Sequence, residues 1–338
     1  MTIERTAGGT CVLPFPVYPQ LVETLAMAHL APPEQRHPAV AHALATCAGY
    51  AYADTETVAR MVTRLGLERH ACVRITQTVD AMFIFSTAYL VQSQCGRVVV
   101  LCYRGTEPAT LGNWLGDADI GPEQTRLPSG EGDATVRVHA GFLRNVRATW
   151  WEVVEALSVA LRGGSIADHQ AGVAHPLEAL YVTGHSLGGA MALLFALRLS
   201  CEAAHRAIAD RLRAVYTFGQ PMALAPPLPA GIEGLGRKVF RHVMTRDPVP
   251  ALPPARWGPF VHVGHEYRYA DGGWRPAASP VAQLDSLREL SRSLLSFFAS
   301  EKRRGSSRYT FAEHAPHHYI AALRPHDRVT EFGDGARA

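Results

Sequence analysis

The spacing of apolar residues indicates a helical first part of the chain. Within residues 1–70, Leu21 and Leu25 lie on one face of a predicted helix, and apolar side chains recur at helical intervals from Val58 to Leu65. We therefore expect residues 1–70 to form a helical N-terminal extension.

After this extension, β-like and helical patterns alternate. Met82–Leu90 and Val98–Tyr103 are apolar runs separated by a polar turn, which predicts a β-hairpin. Glycine, proline and charge predict a surface loop at Glu123–Asp133. Further helices are predicted at Gly141–Leu161 (amphipathic), Leu187–Leu199 (strongly apolar) and Val281–Ser300 (helical spacing), and further strands at Leu180–Thr183, Ala214–Phe218 and Val239–Met244. This alternation predicts an α/β fold with a mostly parallel central sheet flanked by helices.

Composition narrows the class of protein. The 338 residues are 47% hydrophobic and 19% charged, which excludes a disordered chain, and a net charge of +3 is too small for a nucleic-acid-binding surface. No apolar stretch reaches the ~18 residues that a membrane span needs. The N-terminus lacks the pattern of a secretory signal, so we expect a cytoplasmic protein, with secretion by another route left open.

The cysteines argue against a disulfide framework or a zinc site. Six are scattered along the chain without a Cys-x-x-Cys pair: Cys11, Cys47, Cys72, Cys95, Cys102 and Cys201. In a chain of this length we expect buried thiols rather than disulfides, no metal site and no cofactor.

The most informative motif is Gly184-His185-Ser186-Leu187-Gly188, which has the form G-x-S-x-G. An apolar predicted strand precedes it and a long apolar predicted helix follows. In this context a serine sits on a strained strand-to-helix turn, and the helix directs its free N–H groups at the place where an oxyanion would form. Ser186 is therefore the candidate nucleophile.

A nucleophilic serine needs a histidine base and a carboxylate that orients the base. Asp247 directly follows the predicted strand Val239–Met244 and precedes a proline turn, whereas the rival Asp271 lies in an ordinary Asp-Gly turn. His314 lies where a base loop should precede a short helix, and His317 is its main rival. We favour Asp247 and His314.

With these residues in place, the sequence resembles the class 3 lipases, the fungal-lipase-like family of α/β-hydrolases. The resemblance covers about residues 80–325, and it rests on a series of motifs in family order: Tyr103-Arg104-Gly105-Thr106, Asn113–Asp117, Val138–Phe142, Gly184–Gly189, Thr217–Pro221, Asp247–Pro250 and His314 with Tyr319. It implies a single α/β-hydrolase domain over residues 1–338, with the helical segment 1–70 as an extension.

The resemblance also implies roles for single residues. Ser186, Asp247 and His314 would be nucleophile, acid and base. Thr106 and Leu187 would supply the backbone N–H groups of the oxyanion hole. Two further positions carry weaker implications: Asp117 would support the oxyanion residue or be a surface charge, and His185 would be a structural part of the elbow.

The family places a lid in the segment that contains Leu111, Trp114 and Leu115, and a lid of that kind would dock on a lipid–water interface. The alternative is a fixed loop over the site. The Val281–Ser300 helix and the basic residues Lys302–Arg308 are a second candidate for lipid contact. We favour a packed amphipathic helix there.

The resulting functional prediction is a serine hydrolase acting on lipid or small carboxylic esters, a triacylglycerol lipase or carboxylesterase. A phospholipase A1 or an esterase for short-chain or aromatic acyl groups is the alternative. A non-catalytic lipid-binding pseudo-hydrolase is the alternative from a different class. No nucleic-acid partner and no transmembrane segment are expected.

Overall fold

The computed structural model describes residues 1–10, 16–30, 35–82, 84–105, 122–128, 133–228, 232–285 and 310–333, with only the backbone described for 122–128 and 133–135. The strands are β1 (Thr2–Ala7), β2 (Ala71–Val79), β3 (Ile84–Gln92), β4 (Val98–Tyr103), β5 (Pro122–Pro128), β6 (Asp133–His139), β7 (Ala179–His185), β8 (Leu212–Phe218), β9 (Leu224–Ala225), β10 (Val239–Met244), β11 (His265–Ala270) and β12 (Gly273–Pro276). The helices are α1 (Leu21–Met27), α2 (Pro38–Tyr50), α3 (Thr55–Leu65), α4 (Ala140–Leu161), α5 (Leu187–Cys201), α6 (Arg206–Ala209), α7 (Ile232–Gly236) and α8 (Pro316–Leu323).

In the described part of the chain, nine strands form one mixed sheet in the order β1-β2-β3-β4-β7-β8-β10-β11-β12. Its centre, from β4 to β11, is parallel, and antiparallel strands flank it on both sides. The predicted hairpin is confirmed, since β3 and β4 pair antiparallel from Ala88 opposite Tyr103 to Gln92 opposite Val99. The predicted α/β architecture is therefore confirmed, with its parallel part in the central strands.

Helices cover both faces of this sheet. On one face α4 and α5 pack against side chains such as Leu101 and Val182, and on the other α2, α3 and α8 pack against Val100 and Tyr181. Neighbouring residues of one strand thus enter opposite cores. This explains why the central strands are continuous apolar runs, since a strand buried on both faces has no polar side.

The N-terminal segment differs from the helical prediction. Residues Thr2–Ala7 form strand β1, which pairs antiparallel with β2 from Thr2 opposite Thr76 to Ala7 opposite Ala71. The prediction that all of residues 1–70 are helical is therefore wrong at its start. Local periodicity did not reveal this strand because its partner is distant in sequence.

The loop predicted at Glu123–Asp133 is also wrong over much of its length. Strand β5 occupies residues 122–128 and pairs antiparallel with β6, which in turn pairs with β9 to form a second sheet of three strands. The antiparallel ladder satisfies the backbone groups of a segment whose glycine, proline and charge favour a loop.

The cysteines follow the prediction where they are described. Cys47, Cys72 and Cys102 are buried free thiols, and Cys95 and Cys201 are partly buried free thiols. Cys11 lies outside the described residues.

Within the described part of the chain, no single helix is long and apolar enough to cross a membrane. The bent pair Leu187–Cys201 and Ala203–Ala209, with an angle of 98° between its helices, meets these measures only when both are counted together.

Candidate active site

Ser186 occupies the sharp turn between β7 and α5. Its backbone has φ 58° and ψ −131°, a conformation that costs an ordinary residue of order 1–3 kcal/mol. The flanking glycines make the turn possible. A Cβ on Gly184 would lie 2.3 Å from the carbonyl carbon of Gly188, and a Cβ on Gly188 would lie 2.2 Å from the carbonyl oxygen of Tyr103. The G-x-S-x-G spacing is therefore a steric requirement of this turn.

The same turn places backbone N–H groups beside the serine. The N–H of Ser186 donates to the carbonyl of Phe218 (2.9 Å), which anchors the elbow to strand β8. Leu187 is the first residue of α5, so its N–H has no acceptor within the helix. Gly105, the last described residue before Thr106, lies against Ser186, because a Cβ on Gly105 would be 3.3 Å from the Cβ of Ser186.

A chain of two hydrogen bonds links Ser186 to His314 and Asp247. Nε2 of His314 is 2.8 Å from Oγ of Ser186, and Nδ1 of His314 is 2.8 Å from Oδ2 of Asp247. Since a carboxylate only accepts, Nδ1 of His314 carries the proton and Nε2 is free to accept from the serine hydroxyl. All three side chains are buried.

The rival residues lie elsewhere. Asp271 is in the exposed turn between β11 and β12, where it pairs with Arg275. His317 is in the first turn of α8, and its ring packs against His318 with the centroids 4.1 Å apart. The structure brings His314 and Asp247 to Ser186 and leaves both rivals outside.

Asp247 has further partners besides His314. Its Oδ1 accepts from the N–H of Val249 (2.8 Å), and its Oδ2 accepts from the hydroxyl of Tyr319 (2.6 Å). Burial, followed by the charge of Asp247, raises the pKa of Tyr319 well above its usual value, so the phenol stays a donor. Tyr319 belongs to one of the motifs in the sequence, but the motif does not indicate that its hydroxyl binds Asp247.

Hydrogen bonds of the backbone connect the loop that carries Asp247 to the loop that carries His314. The N–H of Thr310 donates to the carbonyl of Arg246 (2.8 Å), and the N–H of Arg246 donates to the carboxylate of Glu313 (3.1 Å). The residues just before Asp247 and His314 are therefore fixed to each other, which keeps the Asp247 and His314 side chains aligned.

Gly219 is a site residue that sequence reasoning missed. Its φ is +59°, and a Cβ there would lie 2.8 Å from Oδ2 of Asp247 and 2.9 Å from Nδ1 of His314. The hydrogen bond between Asp247 and His314 thus lies directly against Gly219, where there is no room for a side chain. Its signal in the sequence is the Thr217–Pro221 motif, which contains this glycine but does not by itself give the reason for it.

Several predicted residues lie outside the described residues. They are Thr106, Asp117 and the lid candidates Leu111, Trp114 and Leu115, as well as residues 286–300 of the predicted helix and Lys302–Arg308.

The described start of the predicted Val281–Ser300 helix is not helical, so the prediction is wrong for residues 281–285. The backbone there is held by other groups. Leu284 is buried, its N–H donates to the carbonyl of Ala251, and its carbonyl accepts from Ala255.

Comparison with known proteins agrees with this geometry. The sequence profile described as "Lipase (class 3)" matches residues 100–257, a range that holds both Ser186 and Asp247. Over these residues the chain is similar to the class 3 lipase family. The lipase of Rhizomucor miehei is 29% identical over 199 residues, which cover 59% of this chain and 49% of that protein. The solved structure of the Rhizomucor miehei lipase propeptide complex superposes with a TM-score of 0.56 at 23% identity, covering 81% of this chain and 78% of that one, and it supports the α/β-hydrolase fold.

A further relative corrects the expected location. The "Secreted mono- and diacylglycerol lipase 1" of Fusarium solani is 29% identical over 186 residues, which cover 55% of this chain and 48% of that protein. The cytoplasmic expectation is wrong, since this relative is named as a secreted protein. The match spans about half the length of these curated relatives.

Proposed function

We propose that this chain is a serine hydrolase of the class 3 lipase type that cleaves carboxylic esters of lipids through an acyl-enzyme on Ser186. The observation that carries the proposal is the hydrogen-bonded chain from Ser186 through His314 to Asp247 on a strained elbow. In this arrangement His314 is oriented by a carboxylate and directs its free nitrogen at the serine hydroxyl, which is the requirement for activating a weak nucleophile.

The proposed first step forms the acyl-enzyme. Nε2 of His314 accepts the proton of Ser186 as Oγ attacks the ester carbonyl carbon. The imidazolium formed in this way faces the Asp247 carboxylate, which stabilises it. His314 then gives the proton to the alcohol oxygen as the ester C–O bond breaks, and the alcohol leaves with the acyl group still on Oγ.

The proposed second step returns the enzyme to its starting state. Water gives a proton to His314 and attacks the acyl carbon, and the proton returns to Oγ as the carboxylic acid departs. In both steps the oxyanion would be bound by the N–H of Leu187 and, from the family resemblance, by the N–H of Thr106, with Asp117 as a supporting residue. Removing one such donor typically lowers the rate by about 10²–10³.

The proposed substrates are acylglycerols or related esters at a lipid–water interface, with the segment containing Leu111, Trp114 and Leu115 as the lid. The names of the relatives support this class, since they are a lipase and a mono- and diacylglycerol lipase. We propose neither a nucleic-acid partner nor a cofactor.

We also propose that the chain forms a single α/β-hydrolase domain with residues 80–325 as its catalytic core. Shared packing supports this organisation. Side chains of α2 and α3, such as Leu44 and Val62, lie in one apolar cluster with Tyr181 of the central sheet and Ile320 of α8.

A series of nitrophenyl esters of increasing acyl length tests the proposed function. We expect hydrolysis by the wild type, a loss of at least about 10³-fold in Ser186→Ala and His314→Ala, and near-normal rates in the matched variant His317→Ala. Equal rates in the wild type and Ser186→Ala would overturn the proposal in favour of a non-catalytic lipid-binding protein. The profile of rate against acyl length separates a lipase from a short-chain esterase, and assay on phospholipid vesicles identifies a phospholipase A1.

A further inference from the structure

His185, the residue before the nucleophile, lies directly beneath the base. Its ring packs against that of His314 with the centroids 4.6 Å apart and the planes tilted by 33°. Its Nε2 lies 2.6 Å from the backbone carbonyl oxygen of His314. Because a carbonyl oxygen only accepts, Nε2 of His185 must carry a proton to make this bond.

The other nitrogen of His185 faces the N-terminal segment. The hydroxyl of Tyr52, in the turn between α2 and α3, lies 3.1 Å from Nδ1. The phenol reaches this position beside Gly105, where a Cβ would be 2.3 Å from the Tyr52 oxygen. Tyr52 belongs to the N-terminal segment, which carries no recognised family motif. Its hydroxyl thus lies beside both His185 of the elbow and Gly105, which leads to Thr106.

These two contacts select one state of the His185 ring. If the proton moved to Nδ1, the lone pair of Nε2 would face the lone pairs of the His314 carbonyl at a distance of 2.6 Å, which is repulsive. A cationic ring would place a positive charge beside His314 and oppose formation of the imidazolium. Burial holds the pKa of His185 well below its usual value, so the neutral ring is favoured.

We infer that Tyr52 and His185 are positioning residues for the base: the Tyr52 hydroxyl donates to Nδ1 of His185, which fixes the proton on Nε2, and that N–H holds the His314 backbone so that its imidazole stays aligned between Ser186 and Asp247. The inference rests on the proposed function. It assigns a task in the active site to the N-terminal segment, which supplies the phenol.

Removing the hydroxyl alone tests the inference. In Tyr52→Phe we expect kcat on a nitrophenyl ester to fall about 5- to 10-fold, the scale set by the net strength of one neutral hydrogen bond, with KM unchanged. The matched control is Tyr50→Phe, which removes a hydroxyl from the last residue of α2, two positions before Tyr52, where the ring packs against Phe332. The thermal midpoints of the two variants should agree, whereas kcat should differ.

A second pair of variants separates the N–H donor from simple packing. His185→Gln keeps a side-chain N–H that can reach the His314 carbonyl, and His185→Leu does not. We expect His185→Gln to retain at least about tenfold more kcat than His185→Leu. Equal kcat in the two variants, or equal kcat in Tyr52→Phe and Tyr50→Phe, would overturn the inference.

Nitrogen NMR of the His185 ring tests the same point without any assay of activity. The ring signals are assigned by their absence from His185→Gln. We expect protonated Nε2 and unprotonated Nδ1 in the wild type, and a proton partly transferred to Nδ1 in Tyr52→Phe. Protonated Nδ1 in the wild type would contradict the inference. An inactive wild type with the expected tautomer would instead contradict only the proposed function.

Discussion

Tyr319 donates a hydrogen bond of 2.6 Å to Oδ2 of Asp247, the same oxygen that accepts from His314. The hydroxyl of Tyr319 also lies 3.2 Å from the N–H of Met244, from which it accepts. One phenol therefore fixes the carboxylate against the end of strand β10. Asp247 and Tyr319 are both buried, so bulk water cannot take the place of either partner in this hydrogen bond.

Tyr319→Phe tests this role of the phenol. We expect a loss of about 1–3 kcal/mol in the free energy of unfolding, because the variant leaves the N–H of Met244 and part of Asp247 unpaired in the interior. We also expect kcat to fall about tenfold, since Asp247 loses the Tyr319 donor and keeps its bonds to His314 and Val249. Urea unfolding and ester hydrolysis measure the two effects. Unchanged kcat would show that the remaining bonds are enough to orient Asp247.

Gly219 gives a second prediction, with a matched control within the chain. Gly219→Ala should lower the free energy of unfolding by about 1–2 kcal/mol because of the positive φ. It should also lower kcat by more than about 100-fold, because the added Cβ would separate Asp247 from His314. Gly272 has a φ of +75°, and no atom of the described residues lies within 4 Å of a Cβ placed there, so Gly272→Ala carries the backbone cost alone. Similar kcat in the two variants would contradict the steric argument.

The buried ion pair between Arg241 and Glu266 joins neighbouring strands β10 and β11, with 3.0 Å between Nη1 and Oε2. Burial lowers the pKa of Arg241 to about 10, so the guanidinium remains charged near neutral pH. Glu266→Ala leaves this charge uncompensated, and we expect a loss of about 3–5 kcal/mol in the free energy of unfolding. Asp210→Asn, which breaks the exposed pair with Arg206, should change it by less than about 1 kcal/mol. Equal losses would contradict the account.

Buried histidines make stability depend on pH. Burial lowers the pKa of His139 to about 3 and holds those of His242 and His262 well below their usual value. Below pH ~6.5 the unfolded chain binds protons that the folded chain does not. The free energy of unfolding should therefore fall as the pH decreases from 7 to 5, by up to about 1.4 kcal/mol per pH unit for each such histidine.

The variant His242→Phe isolates the contribution of one histidine. The ring of His242 is stacked with those of Phe218 and Tyr267, a site that also suits a phenyl ring. We expect the variant to be as stable as the wild type at pH 7 and to lose less stability at pH 5, as measured by urea unfolding. An unchanged slope with pH would contradict the assignment of acid sensitivity to His242.

The elements that the sequence predicts well are those with local signals. The hairpin β3–β4, helix α5 and the elbow at Ser186 each follow from a run of apolar residues, a polar turn or a glycine spacing within a short segment. Strands β1 and β5 were missed because their polar sequences become strands only through backbone pairing with other segments, and that pairing leaves no local period.

The same distinction between local and long-range signals applies to the residues of the candidate site. The positions of Ser186, Asp247 and His314 follow from motifs along the chain. Gly219 and Tyr52 could not be assigned, because the first is explained by the space between two side chains and the second by a phenol that arrives from a distant segment. Such relationships exist only after the chain has folded.

Covalent labelling tests the central claim most directly, namely that Ser186 is the nucleophile of an ester hydrolase. A nitrophenyl alkylphosphonate reacts with an activated serine and releases nitrophenol, leaving phosphorus bonded to Oγ. We predict that one label per chain, mapped by peptide mass spectrometry to Ser186, abolishes ester hydrolysis in proportion to its incorporation, and that His314→Ala labels far more slowly. Full hydrolytic activity after complete labelling of Ser186, or loss of activity with the label on another residue, would contradict the account.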